Sequence, residues 1–142
     1  MSPARKAVAT VLLIMGCLDL CALAAAIVPL RWIAAAHSTV GLGPFPAEPI
    51  AEYLTRTGSL MYALHGMTIV YIARDVDRYW GLIRFLAVVA VAHGALIAAI
   101  DSRLALPFWW KLLEGPAFSA TGAIVLFLQR RADQGQSGRS NR

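Results

Sequence analysis

Apolar residues fill four stretches of this chain with few polar interruptions: Ala7 to Leu30, about Leu54 to Ala73, about Leu82 to Ile100 and about Pro107 to Gln129. The first contains Asp19 as its one charged residue. Arg56 lies at the edge of the second and His65 inside it, Arg84 opens the third around His93, and the fourth holds Lys111, Glu114 and Pro116. A helix that crosses a hydrocarbon layer of about 30 Å needs roughly 20 mostly apolar residues. A helix on a water-soluble core instead shows a polar stripe at 3.6-residue spacing, and neither Ala22 to Leu30 nor Ala87 to Ala92 has one. In lipid every backbone N–H and C=O must be satisfied within the segment, so the four runs predict helices. The expectation is an all-α integral membrane four-helix bundle over residues 1–131. Residues 31–53 form its outer loop, and 132–142 follow as a flexible tail.

Composition agrees with that solvent. Of 142 residues, 58% are hydrophobic and 15% charged, with a mean hydropathy of +0.62, whereas soluble domains average about 25% charged. Four such runs cannot be hidden inside a water-soluble domain of 15.3 kDa. Disorder is excluded for most of the chain, because disordered segments are polar and charge-rich. Cys17 and Cys21 sit in an apolar run and form no disulfide framework. The first run follows Arg5-Lys6 and reaches small residues at Ala22 to Ala26, as a signal peptide does, and Ile14-Met15-Gly16-Cys17 has a lipoprotein-like look. It continues to Leu30, however, past the 7–15 residues of a signal-peptide core. An uncleaved first helix is the expectation.

Charge then sets orientation. With the N-terminus inside, the cytoplasmic segments hold nine basic residues: Arg5, Lys6, Arg74, Arg78, Arg84, Arg130, Arg131, Arg139 and Arg142. The other side holds four, Arg31, Arg56, Arg103 and Lys111. Lys and Arg concentrate on cytoplasmic loops, so both termini are expected in the cytoplasm and the chain in a bacterial inner membrane. Trp32, Tyr53, Phe108, Trp109 and Trp110 mark the outer interface, and Tyr79 and Trp80 the inner one. The net charge of +5 is thereby a topology signal. It forms no single basic patch, which argues against nucleic acid and leaves the bilayer as partner. The outer loop carries Gly41, Gly43, Pro44, Pro46 and Pro49, too many breakers for a long helix. The short inner loop Arg74 to Arg78 makes the second and third spans antiparallel neighbours.

Each span places one ionisable group near mid-depth: Asp19, His65, His93 and Glu114. At 1.5 Å per residue the four fall within roughly 10 Å of depth. Such groups are costly in hydrocarbon and usually face the bundle interior or a water cavity. Three uses compete. Asp19 can lock to one histidine, with Glu114 paired to Lys111 or the other histidine, in an accessory or structural protein. A carboxylate–imidazole path can carry protons or a small solute, as in a proton-coupled carrier. His65 and His93 can ligate a metal or haem, each followed by a glycine (Gly66, Gly94) that would admit a flat ring, although helices packed at about 8–10 Å leave a macrocycle little room. No cofactor is the first expectation. The strings His65-Gly66-Met67-Thr68-Ile69 and His93-Gly94-Ala95-Leu96-Ile97 match as H-G-x-x-I, by coincidence or as an inverted repeat.

Small residues recur four apart at Ala90, Gly94 and Ala98 on the third span and at Gly115, Ser119 and Ala123 on the fourth. Such faces permit close helix approach, within the bundle or between copies in a homo-oligomer. Pro116 should kink the fourth span near Leu112 to Glu114. Enzyme signatures are weak, since Ser38, Ser59, Ser102 and Ser119 lack a nucleophile-elbow pattern. Cys17 and Cys21 have no third zinc ligand nearby.

The layout resembles the small four-helix membrane proteins of the DoxX-like and BphX-like kind. The resemblance rests on Leu60-Met61-Tyr62-Ala63-Leu64-His65-Gly66 and Ala73-Arg74-Asp75-Val76-Asp77-Arg78-Tyr79, with the Asp101-Ser102-Arg103 turn and Glu114. It covers the second to fourth spans and implies a fold and a membrane location, without a mechanism. Small multidrug transporters also have four spans and an acid in the first, but this chain is longer and lacks their aromatic pattern.

Overall fold

A computed structural model describes residues 2–140, in which every regular element is an α-helix. The helices are α1 (Pro3–Cys21), α2 (Leu23–Ile27), α3 (Leu30–Thr39), α4 (Pro49–Ala73), α5 (Trp80–Asp101) and α6 (Phe108–Ser140). Their boundaries follow from local chemistry. Ser2 caps α1, its Oγ accepting from the Arg5 N–H at 3.3 Å, and Pro3 takes the first helical position, where no N–H is needed. Pro49 opens α4 in the same way. Val28 ends α2 in an extended conformation (φ −67°, ψ 155°) because the ring of Pro29 excludes the helical one. The chain leaves α3 through Gly41 (φ 84°) and Gly43 (φ 83°), left-handed positions that suit glycine.

Two departures from expectation concern the connections. The outer segment 31–53 is partly helical, since α3 occupies its first part and α4 already begins at Pro49. The breakers end α3 rather than prevent it. The tail beginning at residue 132 continues α6 to Ser140, with Ala132 buried. Arg142, the last tail residue, lies outside the described residues.

The chain divides into two compact units, Leu13–Tyr71 and the residues before and after it. In the second unit α5 and α6 form a tight antiparallel pair. A Cβ on Gly115 would lie 2.6 Å from the Ala98 nitrogen, one on Gly94 2.6 Å from the Ser119 nitrogen, and one on Gly122 2.5 Å from the Ala87 oxygen. Ser119 Oγ donates to the Val91 carbonyl at 3.1 Å. The small-residue face therefore packs α5 on α6, with Gly122 at the contact where the four-residue spacing had suggested Ala123, which is exposed. Pro116 lies within α6, which continues across it. The best-packed core of this unit gathers at the end that carries the N-terminus: Val8, Val76, Ile83 and Gln129 are fully buried.

Elsewhere the apolar residues face outward. Leu18, Phe85 and Leu96 are each 60% exposed or more, and Phe108 reaches 80%. A water-soluble monomer does not display apolar surface on this scale. Three helical segments, Pro3–Ile27, Trp80–Asp101 and Phe108–Gly135, are long and apolar enough to cross a membrane. The expected second span lies in α4, whose 25 residues correspond to about 37 Å of helix. Arg56, Thr57, Gly58, Ser59 and His65 make it less apolar than the other three.

Candidate functional site

Asp19 of α1 and His65 of α4, 46 residues apart in sequence, meet at 2.7 Å between Oδ2 and Nδ1. Glycines make the approach. A Cβ on Gly66 would lie 2.6 Å from the Gly16 oxygen and 3.0 Å from the Asp19 Cβ, and one on Gly16 would lie 2.8 Å from Val70 Cγ2. With both absent, the two backbones touch and the neighbouring side chains come within hydrogen-bond reach. The contact is a hydrogen bond in which Nδ1 and Oδ2 share one proton, and Nε2 is turned away from Asp19. Exposure is asymmetric: the Asp19 side chain is 11% exposed and that of His65 50%. The carboxylate is covered, while half of the imidazole is exposed.

His93 and Glu114, in the other unit, have partners of their own. The His93 ring stands edge-on to Phe118 at 5.4 Å between centroids. Glu114 Oε2 accepts from the Trp110 indole N–H one turn earlier on α6, in place of the Lys111 or histidine partner expected. Both histidines are exposed, although bundle-facing positions were anticipated. The reason is geometric. Gly66 and Gly94 occupy the contact faces of their helices, and a residue one position earlier is turned about 100° away. The H-G strings thus share a local arrangement, glycine inward and histidine outward. This also removes the opening proposed for a flat ring, since each glycine is closed by a neighbouring helix. Among the described residues no three His, Cys, Asp or Glu side chains gather as a metal-ligand set.

Two polar arrangements were not anticipated. Arg56 donates from Nη1 to the carbonyls of Ala26 (2.9 Å) and Val28 (3.1 Å), and from Nε to Glu52 (2.8 Å). It thereby caps the carbonyl end of α2, where a cation also suits the helix dipole. Glu52 four residues ahead was its one sequence signal. The second arrangement centres on Trp80. Its indole N–H donates to Asp133 Oδ1 at 3.0 Å, and its carbonyl accepts from the Gln129 side chain at 2.9 Å. The Arg5 guanidinium lies 4.5 Å over its ring. Arg84 pairs with Asp133 at 2.5 Å, and Arg5 pairs with Asp77. Asp101, at the end of α5, is 5% exposed, and its Oδ2 has no hydrogen-bond partner among the described residues.

These features define an all-helical protein with helices able to cross a membrane and an Asp–His pair joining two of its helices. No protein-family model, curated protein or solved structure matches the chain.

Proposed function

We propose that this is a four-span protein of a bacterial inner membrane, with both termini cytoplasmic, serving as an accessory or structural component whose internal polar contacts hold its helices together. The observation that carries the reading is the Asp19–His65 bond beside the Gly16–Gly66 contact, a polar tie made where two helices already touch. The inclusion of α4 as a span is supported by the way its polar groups are spent. Thr57 and Thr68 donate to carbonyls one turn back, Arg56 to α2 and Glu52, and His65 to Asp19. Each such internal bond lowers the cost of placing the helix in lipid. The orientation rests on the basic residues of 74–84 and 130–131, and the outer interface on exposed Trp32, Tyr53 and Phe108. The DoxX-like and BphX-like resemblance belongs to this proposal. Reporter tags at Ser102 and after Arg142 test it. The first should be accessible from outside intact cells and the second only after lysis.

One observation favours a second reading, a small proton-coupled carrier. Asp19 and His65 form a carboxylate–imidazole pair between two helices, the kind of pair that passes protons in membrane carriers. Flux through liposomes that falls in Asp19→Asn, with folding intact, selects the carrier. Absence of flux with loss of stability selects the structural reading.

A further inference from the structure

Seven basic residues, Arg5, Lys6, Arg74, Arg78, Arg84, Arg130 and Arg131, belong to the N-terminal segment, the 74–79 loop, the start of α5 and the later part of α6. Three acids accompany them, Asp75, Asp77 and Asp133, so positive charge is in excess by four. The acids are engaged. Asp77 pairs with Arg5, Asp133 with Arg84 and the Trp80 indole, and Asp75 Oδ1 accepts the Arg78 backbone N–H at 3.1 Å. That leaves five cations, Lys6, Arg74, Arg78, Arg130 and Arg131, all exposed, which with the charge of Asp75 set against them make up the excess of four. The same segments contribute the fully buried Val8, Val76, Ile83 and Gln129, so these cations are mounted on the best-packed part of the unit.

Apolar surface adjoins them. The Arg131 guanidinium lies 4.5 Å over the ring of Phe127, which is itself 53% exposed, and Phe85 beside Arg84 is 62% exposed. A soluble phosphate would use the cations alone. A phospholipid uses both surfaces, its phosphate on the guanidinium groups and its acyl chains along the exposed rings.

We propose that this basic end, with the apolar rings beside it, binds anionic phospholipids of the cytoplasmic leaflet. The inference rests on the membrane reading above. Full-length protein in detergent is mixed with phosphatidylglycerol, phosphatidylcholine or inorganic phosphate, and retained lipid is read by native mass spectrometry and thermal unfolding. Phosphatidylglycerol should be retained and raise the unfolding temperature, less so at high salt, while the other two do neither. Each Arg→Gln at 74, 78, 130 and 131 should weaken retention about fivefold. Equal retention of phosphatidylglycerol and phosphatidylcholine by the unaltered chain overturns the proposal, whether or not the variants fold. An effect of inorganic phosphate equal to that of phosphatidylglycerol overturns the lipid assignment. Flotation with vesicles separates the two levels. A chain that floats equally with neutral and anionic vesicles and shows no lipid preference loses this inference alone, whereas one that floats with neither loses the membrane reading as well.

Discussion

His65 reaches Asp19 across the α1–α4 contact because its neighbour Gly66 has no side chain to hold α1 away. The 2.7 Å bond and the glycine are one device: the first sets the rotation of α4 against α1 and the second sets their separation. Gly66→Ala should therefore do two things, destabilise by about 1–3 kcal/mol through overpacking and stretch the Asp19–His65 bond. Unfolding in detergent measures the first, and the imidazole nitrogen shifts of His65 the second. Unchanged stability in Gly66→Ala would show that the helices are not in contact there.

The α5–α6 pair makes the same prediction without an Asp–His contact. Gly115→Leu must displace the Ala98 backbone and should separate the hairpin, whereas Ala123→Leu, on an exposed position, should be tolerated. Unfolding in detergent compares the two variants, and equal stability of Gly115→Leu and Ala123→Leu would show that the pair is not closed there.

Arg56→Gln should release the carbonyls of Ala26 and Val28 and free the end of α2. Hydrogen bonds to charged groups contribute about 1.5–3 kcal/mol, and partial exposure of the Arg56 side chain lowers that toward about 1 kcal/mol. Glu52→Gln should cost less, because the carbonyl bonds remain. Hydrogen exchange across 23–28 distinguishes the two variants.

Trp80→Phe keeps the ring under Arg5 and removes the indole N–H that Asp133 accepts. The later part of α6 should loosen, seen as faster proteolysis after Arg130 and Arg131. Asp133→Asn removes the charge from the Arg84 pair, which is about half exposed, and should have the smaller effect.

The apolar runs were legible as helical because a run without a polar stripe has few other solutions, although the first, expected as one helix from Ala7 to Leu30, is divided into α1, α2 and the start of α3. The small-residue spacing located the α5–α6 face to within one residue. Asp19 was recognisable as a mid-depth acid that needs a partner, and a histidine as the means. Which histidine, and how each one faces, was not legible. A single residue step turns a helix position by about 100°, and sequence does not state which stripe meets a neighbour. Gly66 and Gly94 show the cost of that gap, since a glycine beside a histidine suggests room for a ligand until a second helix is seen to occupy it. Arg56 was missed because its partners are backbone carbonyls, which leave no residue-type signature. The Trp80 network was missed because it joins the N-terminal helix, the 74–79 loop, α5 and α6, segments far apart in sequence.

A double-mutant cycle between Asp19 and His65, read by reversible unfolding in bicelles, bears most directly on whether this pair holds the protein together. Asp19→Ala and His65→Ala should each destabilise, and the double variant should cost less than their sum, with a coupling of about 0.6–1.7 kcal/mol. Asp19→Asn, which keeps an acceptor for Nδ1–H, should retain part of it. Additive single effects, with no coupling, would contradict the structural role assigned to the pair.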